Sequence, residues 1–309
     1  MQIVLPGALP EPREAGELAA YVIKNAPTLA QWLARARHKE LEADPADTAC
    51  LPHEYWQLAA LGFQPTPEQN FATGLAPFRG GGNHPADQPI WLAELVHVAP
   101  SRDGAALLPA ADLAITPAQS VALFESVHGM FEESGFRLSG SDNPHWHVIP
   151  PDGYQTRSAS PALVAITSVN DWWPQDMASR PWRKLVNEVQ MLWFEHPVNK
   201  ERAHEGLPPV NSLWLYGGAR PNQLKALTLP DVHIHDILLA PSVRQDWSAW
   251  LDGLSWLEQN IFPALAGSES VQLVLTGRDR IIELAAGSRW THWLRRNKES
   301  WRTWWSPQH

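Results

Sequence analysis

Apolar positions along this chain fall into two rhythms. Short unbroken apolar runs close on glycine or proline or lead into polar turns. They cover residues 2–5 before Pro6-Gly7, Ile90 to Val98, Leu213-Trp214-Leu215, and Val271 to Leu275. Runs of this kind predict strands buried on both faces, as in a parallel sheet. Between them, apolar residues recur every three or four positions. Leu29, Trp32 and Leu33 do so, and Pro52 to Leu61 predicts a helix closed by Gly62. Thr116-Pro117 reads as an N-cap followed by proline at the first helical position. The helix it opens runs through Glu133, with Val121, Phe124, Val127, His128 and Phe131 on one side. A second stripe, Trp182, Leu185, Val186, Val189, Leu192 and Trp193, leaves Asn187, Glu188, Gln190 and Glu195 off it. Trp247 to Leu265 predicts a further helix, capped by Gly267. Phe136 to Ser139 and Trp146 to Ile149 predict a hairpin around Ser141-Asp142-Asn143-Pro144. Gly80-Gly81-Gly82-Asn83 reads as a loop.

These elements predict an α/β fold with a mostly parallel central sheet. Residues 1–111 and 207–309 read as the core, and residues 112–206 as a smaller inserted α+β unit.

The 309 residues are 44% hydrophobic and 18% charged, a globular composition. No apolar run approaches the roughly 20 residues of a membrane span. The first residues lack a basic segment followed by a long apolar one, so a core strand is expected there rather than a signal peptide. Cys50 is the only cysteine, which fits a reducing cytoplasm. A net charge of −9 argues against a general nucleic-acid partner. The exception is the stretch from residue 289 onward: Arg289, Arg295, Arg296, Lys298 and Arg302 face a single acid, Glu299. Trp290, Trp293, Leu294, Trp301, Trp304 and Trp305 fit a helical stripe beside those cations. Such a helix either docks on the core or offers a basic aromatic surface to nucleic acid, anionic lipid or an acidic protein partner.

The most telling block is His196-Pro197-Val198-Asn199-Lys200-Glu201-Arg202, followed by Gly206-Leu207-Pro208-Pro209-Val210-Asn211-Ser212-Leu213-Trp214-Leu215-Tyr216-Gly217-Gly218. It resembles a segment of the archaeal-type, cofactor-independent phosphoglycerate mutases of the alkaline phosphatase superfamily. Val4-Leu5-Pro6-Gly7-Ala8, Ala26-Pro27-Thr28-Leu29, His53 through Pro65 and Leu273 through Asp279 fall in the matching order. The resemblance implies an alkaline-phosphatase-like sheet with a small insertion. Active members of that family are two-metal phosphotransferases with a serine nucleophile. Here Gly7 stands where the resemblance implies a first-strand aspartate, His53 at the nucleophile, and Gly277-Arg278 at an aspartate-histidine pair. The pattern is also similar, more closely, to the bacterial Rpf-E-type regulatory proteins. Together these imply a degenerate, non-catalytic scaffold without cofactor. An active mutase or metal-dependent phosphatase is the alternative, and an interaction protein using its tail is a third.

Two readings of the polar block remain open. Glu188, Gln190, His196, Asn199, Arg202, Asn211 and Ser212 could line one pocket, with Arg202 holding the phosphate or carboxylate of a small metabolite. Alternatively they are helix-end architecture, with Asn199 capping a turn, Arg202 paired to Glu188 or Glu205, and Asn211 satisfying loop backbone. His233, His235 and Asp236 are a weak metal candidate, since a third well-spaced ligand is missing. His145-Trp146-His147 has the same defect. No serine sits in a nucleophile-elbow setting.

Overall fold

The computed structural model describes residues 1–80, 84–102, 104–265, 270–286 and 301–305. The protein is a mixed α/β chain with two sheets. Ten strands are described: β1 (Gln2–Leu5), β2 (Arg37–Glu42), β3 (Ile90–Ser101), β4 (Gly104–Leu108), β5 (Arg137–Ser141), β6 (His145–Ile149), β7 (Ser212–Ala219), β8 (Val232–Ile234), β9 (Gln272–Thr276) and β10 (Arg280–Ala285). Chain contacts divide the protein into two compact units. One holds Met1–Asp47, Leu51–Gln57 and Leu229–His309; the other holds Thr48–Cys50 and Leu58–Thr228.

The first unit is built on a sheet of order β2-β10-β9-β1-β8. β1 pairs in parallel with both β8 and β9, whereas β10 runs antiparallel to β9 and to β2. The sheet is thus parallel only at one side, not mostly parallel as expected. Alternation along its strands feeds two cores, because successive side chains leave opposite faces. Ile3, Leu5, Leu273, Leu275, Ile282 and Leu284 join helices Pro12–Asn25, Pro27–Leu33 and Trp247–Asn260 on one face. Val4, Val274 and Ile281 pack with Ala43 and Trp56 on the other. Trp301, Trp304 and Trp305 are buried in the first of these cores. The described tryptophans of the tail are therefore docked on the core. Trp290, Trp293, Leu294, Gly267 and the cations of 289–298 lie outside the described residues, as do Gly81, Gly82 and Asn83.

In the second unit every strand pair is antiparallel. β3 lies between β6 and β7, its far half forms a hairpin with β4, and β5 closes the edge beyond β6. β7, expected in the parallel core, belongs here. This unit reaches well past residues 112–206, the span expected as an insertion, on both sides. One face of its sheet buries Trp91, Ala93, Leu95, Trp146, Val148, Leu213 and Leu215 against helices Pro117–Glu133 and Arg180–Phe194. On the first helix the inward face is Ser120, Leu123, Val127 and Phe131. Val121, expected among them, is 51% exposed. On the second the expected stripe holds except at Leu192, which is 41% exposed.

Candidate functional site

Helix Arg180–Phe194 and helix Pro197–His204 set the polar block in place, and the structure separates its seven residues. Arg202 is fully buried, and its guanidinium is spent on the protein. Nε donates to Pro208 O at 2.8 Å, Nη1 to Gln119 Oε1 at 2.9 Å, and Nη2 to Leu113 O. Burial pulls the guanidinium's proton affinity below its ordinary value, with Glu205 opposing. Asn199, also buried, donates to Trp193 O and Val210 O and accepts from Val210 N. Asn211 accepts from Val98 N and donates to Val98 O, each at 2.8 Å, copying a strand pair with its side chain. His196 is the N-cap of Pro197–His204, its Nδ1 accepting from Val198 N at 3.2 Å. Glu188 is solvent-facing and pairs with Lys184 at 3.7 Å. These five are framework as found, and neither expected acidic partner of Arg202 forms a short ion pair with it.

Gln190 and Ser212 are different. Gln190 Nε2 donates to Ser212 Oγ at 3.1 Å, and both line a cleft of about 390 Å³. Buried Ser212 and Val169 and half-buried Val98 form its floor. Three exposed carboxamides, Asn170, Gln175 and Asn187, form the rim. The indole of Trp173 completes the wall and packs against buried Trp214 with ring centroids 5.5 Å apart. No ionisable side chain lines the cleft among the described residues.

That wall is fixed by local hydrogen bonds. Arg183 Nη1 donates to Pro174 O and Asp176 O, each at 2.8 Å. Asp176 accepts from Ser179 N and Oγ at 2.9 Å. Trp173 N donates to Val169 O, and Trp172 Nε1 to Thr167 Oγ1. A wall held in this way does not have to be ordered when something binds against it. Asn170, Trp173 and Gln175 were not legible as cleft residues, because they come from a four-residue helix, Val169–Trp172, and the segment after it, both too short to show periodicity.

A second polar cluster sits on the sheet face opposite the core. His145 and His147 alternate along β6 and project beside Glu94 of β3. His145 Nε2 lies 3.3 Å from Glu94 Oε2, and its Nδ1 lies 3.6 Å from Asp142. His147 Nε2 approaches the same aspartate at 3.9 Å, and His84 stacks on His147 at 4.7 Å. Burial lowers the proton affinity of His147, the neighbouring His84 and His145 lower it further, and Asp142 opposes.

At the end of β1 the backbone of the same unit fills the space. Gly7 has φ +74°, and a Cβ added there would lie 2.7 Å from Leu238 O and 2.7 Å from Leu239 Cα. Its carbonyl accepts from Trp250 Nε1 at 2.9 Å. His53 is half-buried on the first turn of helix Pro52–Ala60. Gly277 and exposed Arg278 form the turn between antiparallel β9 and β10. β8 ends at Ile234, so His235 lies beyond the strand that was expected to carry both imidazoles. Among the described residues, no group of three or more His, Cys, Asp or Glu side chains is placed to hold a metal ion. None of the described helices is long and apolar enough to cross a membrane.

No family model matches this chain, and no curated protein does. Among solved structures it is similar to the PH0037 protein from Pyrococcus horikoshii. Identity is 13% over 93% of this chain and 87% of that one, with a TM-score of 0.47. It is also similar to the cofactor-independent phosphoglycerate mutase from Thermoplasma acidophilum. There identity is 13% over 93% of this chain and 89% of that one, with a TM-score of 0.36. At these scores neither likeness bears on activity.

Proposed function

We propose that this chain is a non-catalytic, regulatory ligand-binding protein on a degenerate phosphoglycerate-mutase-like scaffold, working in the cytoplasm. Its ligand site is the cleft lined by Ser212 and Gln190. The observation that carries this reading is the contrast between two places. At the cleft, rim amides are exposed around a concave wall held by its own hydrogen bonds. At the end of β1, where an active relative would need a carboxylate, the backbone of Leu238 and Leu239 leaves no room for even a Cβ.

The anion-sensing version through Arg202, Asn199 and Asn211 loses support, because all three side chains are committed to protein partners. The tail-mediated alternative loses Trp301, Trp304 and Trp305 to the core.

Two assays test the proposal. Purified protein supplied with manganese should leave 3-phosphoglycerate unconverted, and manganese-dependent turnover would overturn the non-catalytic reading. Native mass spectrometry in a deproteinised small-molecule extract of the host should show an adduct. The exposed helix substitution Asn187→Trp, which fills the cleft, should abolish it. An adduct that survives Asn187→Trp would remove the cleft as the site.

A further inference from the structure

We propose that the cleft takes an uncharged polyhydroxylated ligand, a saccharide of one or two rings. This rests on the cleft being the ligand site and names the chemistry that fits it. Four carboxamides (Asn170, Gln175, Asn187 and Gln190) and one hydroxyl, Ser212, supply every polar side chain of the lining. Each carboxamide offers both a donor and an acceptor edge, and a hydroxyl does the same. That pairing suits a ligand whose groups also donate and accept, as sugar hydroxyls do.

Charge selects against the alternatives. An anion or cation entering this cleft would shed water and meet no opposite charge, which is costly. The indole of Trp173 supplies what the amides cannot, a flat apolar surface for the C–H face of a pyranose. Its position is set by Trp214 behind it and by the short hydrogen bond from its own backbone N–H to Val169. Val98 and Val169 give the remaining apolar contact. The volume of about 390 Å³ is at the lower end for small-molecule sites, the size of a small ligand rather than a polymer.

Ser212 and Gln190 already share a hydrogen bond at 3.1 Å. A ligand hydroxyl can insert between them, or accept from Gln190 while Ser212 donates, without leaving either unpaired. The three rim amides have only solvent to lose. A sugar gains specificity here from several shared edges at once, and no single strong contact is required.

Calorimetry with glucose, galactose, N-acetylglucosamine, maltose, adenosine and 3-phosphoglycerate tests this. At least one saccharide should bind, with an affinity unchanged between 50 and 500 mM salt on the scale of about twofold, as expected without a charge contact. Trp173→Ala should weaken it at least tenfold, and Trp173→Phe should retain most of the affinity. Because Trp173 also packs on Trp214, the exposed Gln175→Ala serves as a second variant and should weaken binding several-fold without moving the unfolding midpoint. Binding of 3-phosphoglycerate or adenosine at the cleft, with all sugars silent, would overturn the saccharide class and leave the cleft as the site. Silence of every probe, with an extract adduct indifferent to Asn187→Trp, would overturn both.

Discussion

At the scale of single residues, Arg202 shows how a buried cation becomes framework. Three of its donors meet Pro208 O, Gln119 Oε1 and Leu113 O, so one side chain joins three separate segments. Arg202→Ala leaves the carbonyls of Pro208 and Leu113 without their partner and takes one of two donors from Gln119 Oε1, and should cost about 3 kcal/mol or more in denaturant unfolding. Arg202→Lys should not restore it, because a single ammonium cannot reproduce the planar fork. Gly7 makes the converse point. Its φ of +74° and the 2.7 Å approach to Leu238 O require a residue without Cβ. Gly7→Asp should destabilise on the order of 2–4 kcal/mol and should not bring manganese binding with it. Gain of tight manganese binding by a folded Gly7→Asp protein would show that ion ligands do assemble at the end of β1 and would contradict the non-catalytic proposal.

At the scale of elements, helix Pro117–Glu133 starts with a reciprocal capping box. Thr116 Oγ1 accepts from Gln119 N at 3.2 Å, and Gln119 Oε1 accepts from Thr116 N at 3.2 Å. The same Gln119 oxygen receives Arg202 Nη1, so the cap and the buried arginine are one network. Thr116→Ala should cost about 1 kcal/mol. Gln119→Ala should cost more, and in a double-mutant cycle with Arg202→Ala the two losses should be less than additive.

The cap, the stripe of Arg180–Phe194 and the β5–β6 hairpin were legible because each is a local pattern with its own period or turn chemistry. β2 was not. Its sequence, Arg37 to Glu42, is charged and mostly exposed, as an edge strand that repels other edges is. The sheet membership of β7 was also hidden, since an apolar run does not say which neighbour it will pair with. Of the seven residues expected to share a pocket, Gln190 and Ser212 line the cleft together. The fate of Arg202 and Asn199 was not legible, because their partners are backbone carbonyls that no side-chain motif announces.

At the scale of the whole molecule, four histidines share one electrostatic sign. Burial lowers the proton affinity of His97, His147, His196 and His235 below the ordinary imidazole value near 6.5. At His97 the Pro209 carbonyl opposes this and Arg202 adds to it; at His235 the neighbouring His233 adds and Asp236 opposes. A lowered folded value means that the unfolded chain binds more protons between the two values. Stability is therefore complete above about pH 6.5 and falls as the pH drops through that value toward the lower folded ones. His196 adds a structural reason, since protonation turns its capping Nδ1 from acceptor to donor. Unfolding midpoints should decline from pH 7 to pH 5, and His147→Gln should reduce that decline. A midpoint that rises on acidification would contradict the burial assigned to these rings.

The most direct measurement is hydrogen–deuterium exchange of the full chain with and without the small-molecule extract of its host. Added protection is expected at residues 169–175, 187–190 and 211–213, around the amide-lined cleft. Protection instead at residues 5–9 and 276–279, at the ends of β1 and β9, would contradict the cleft as the ligand site.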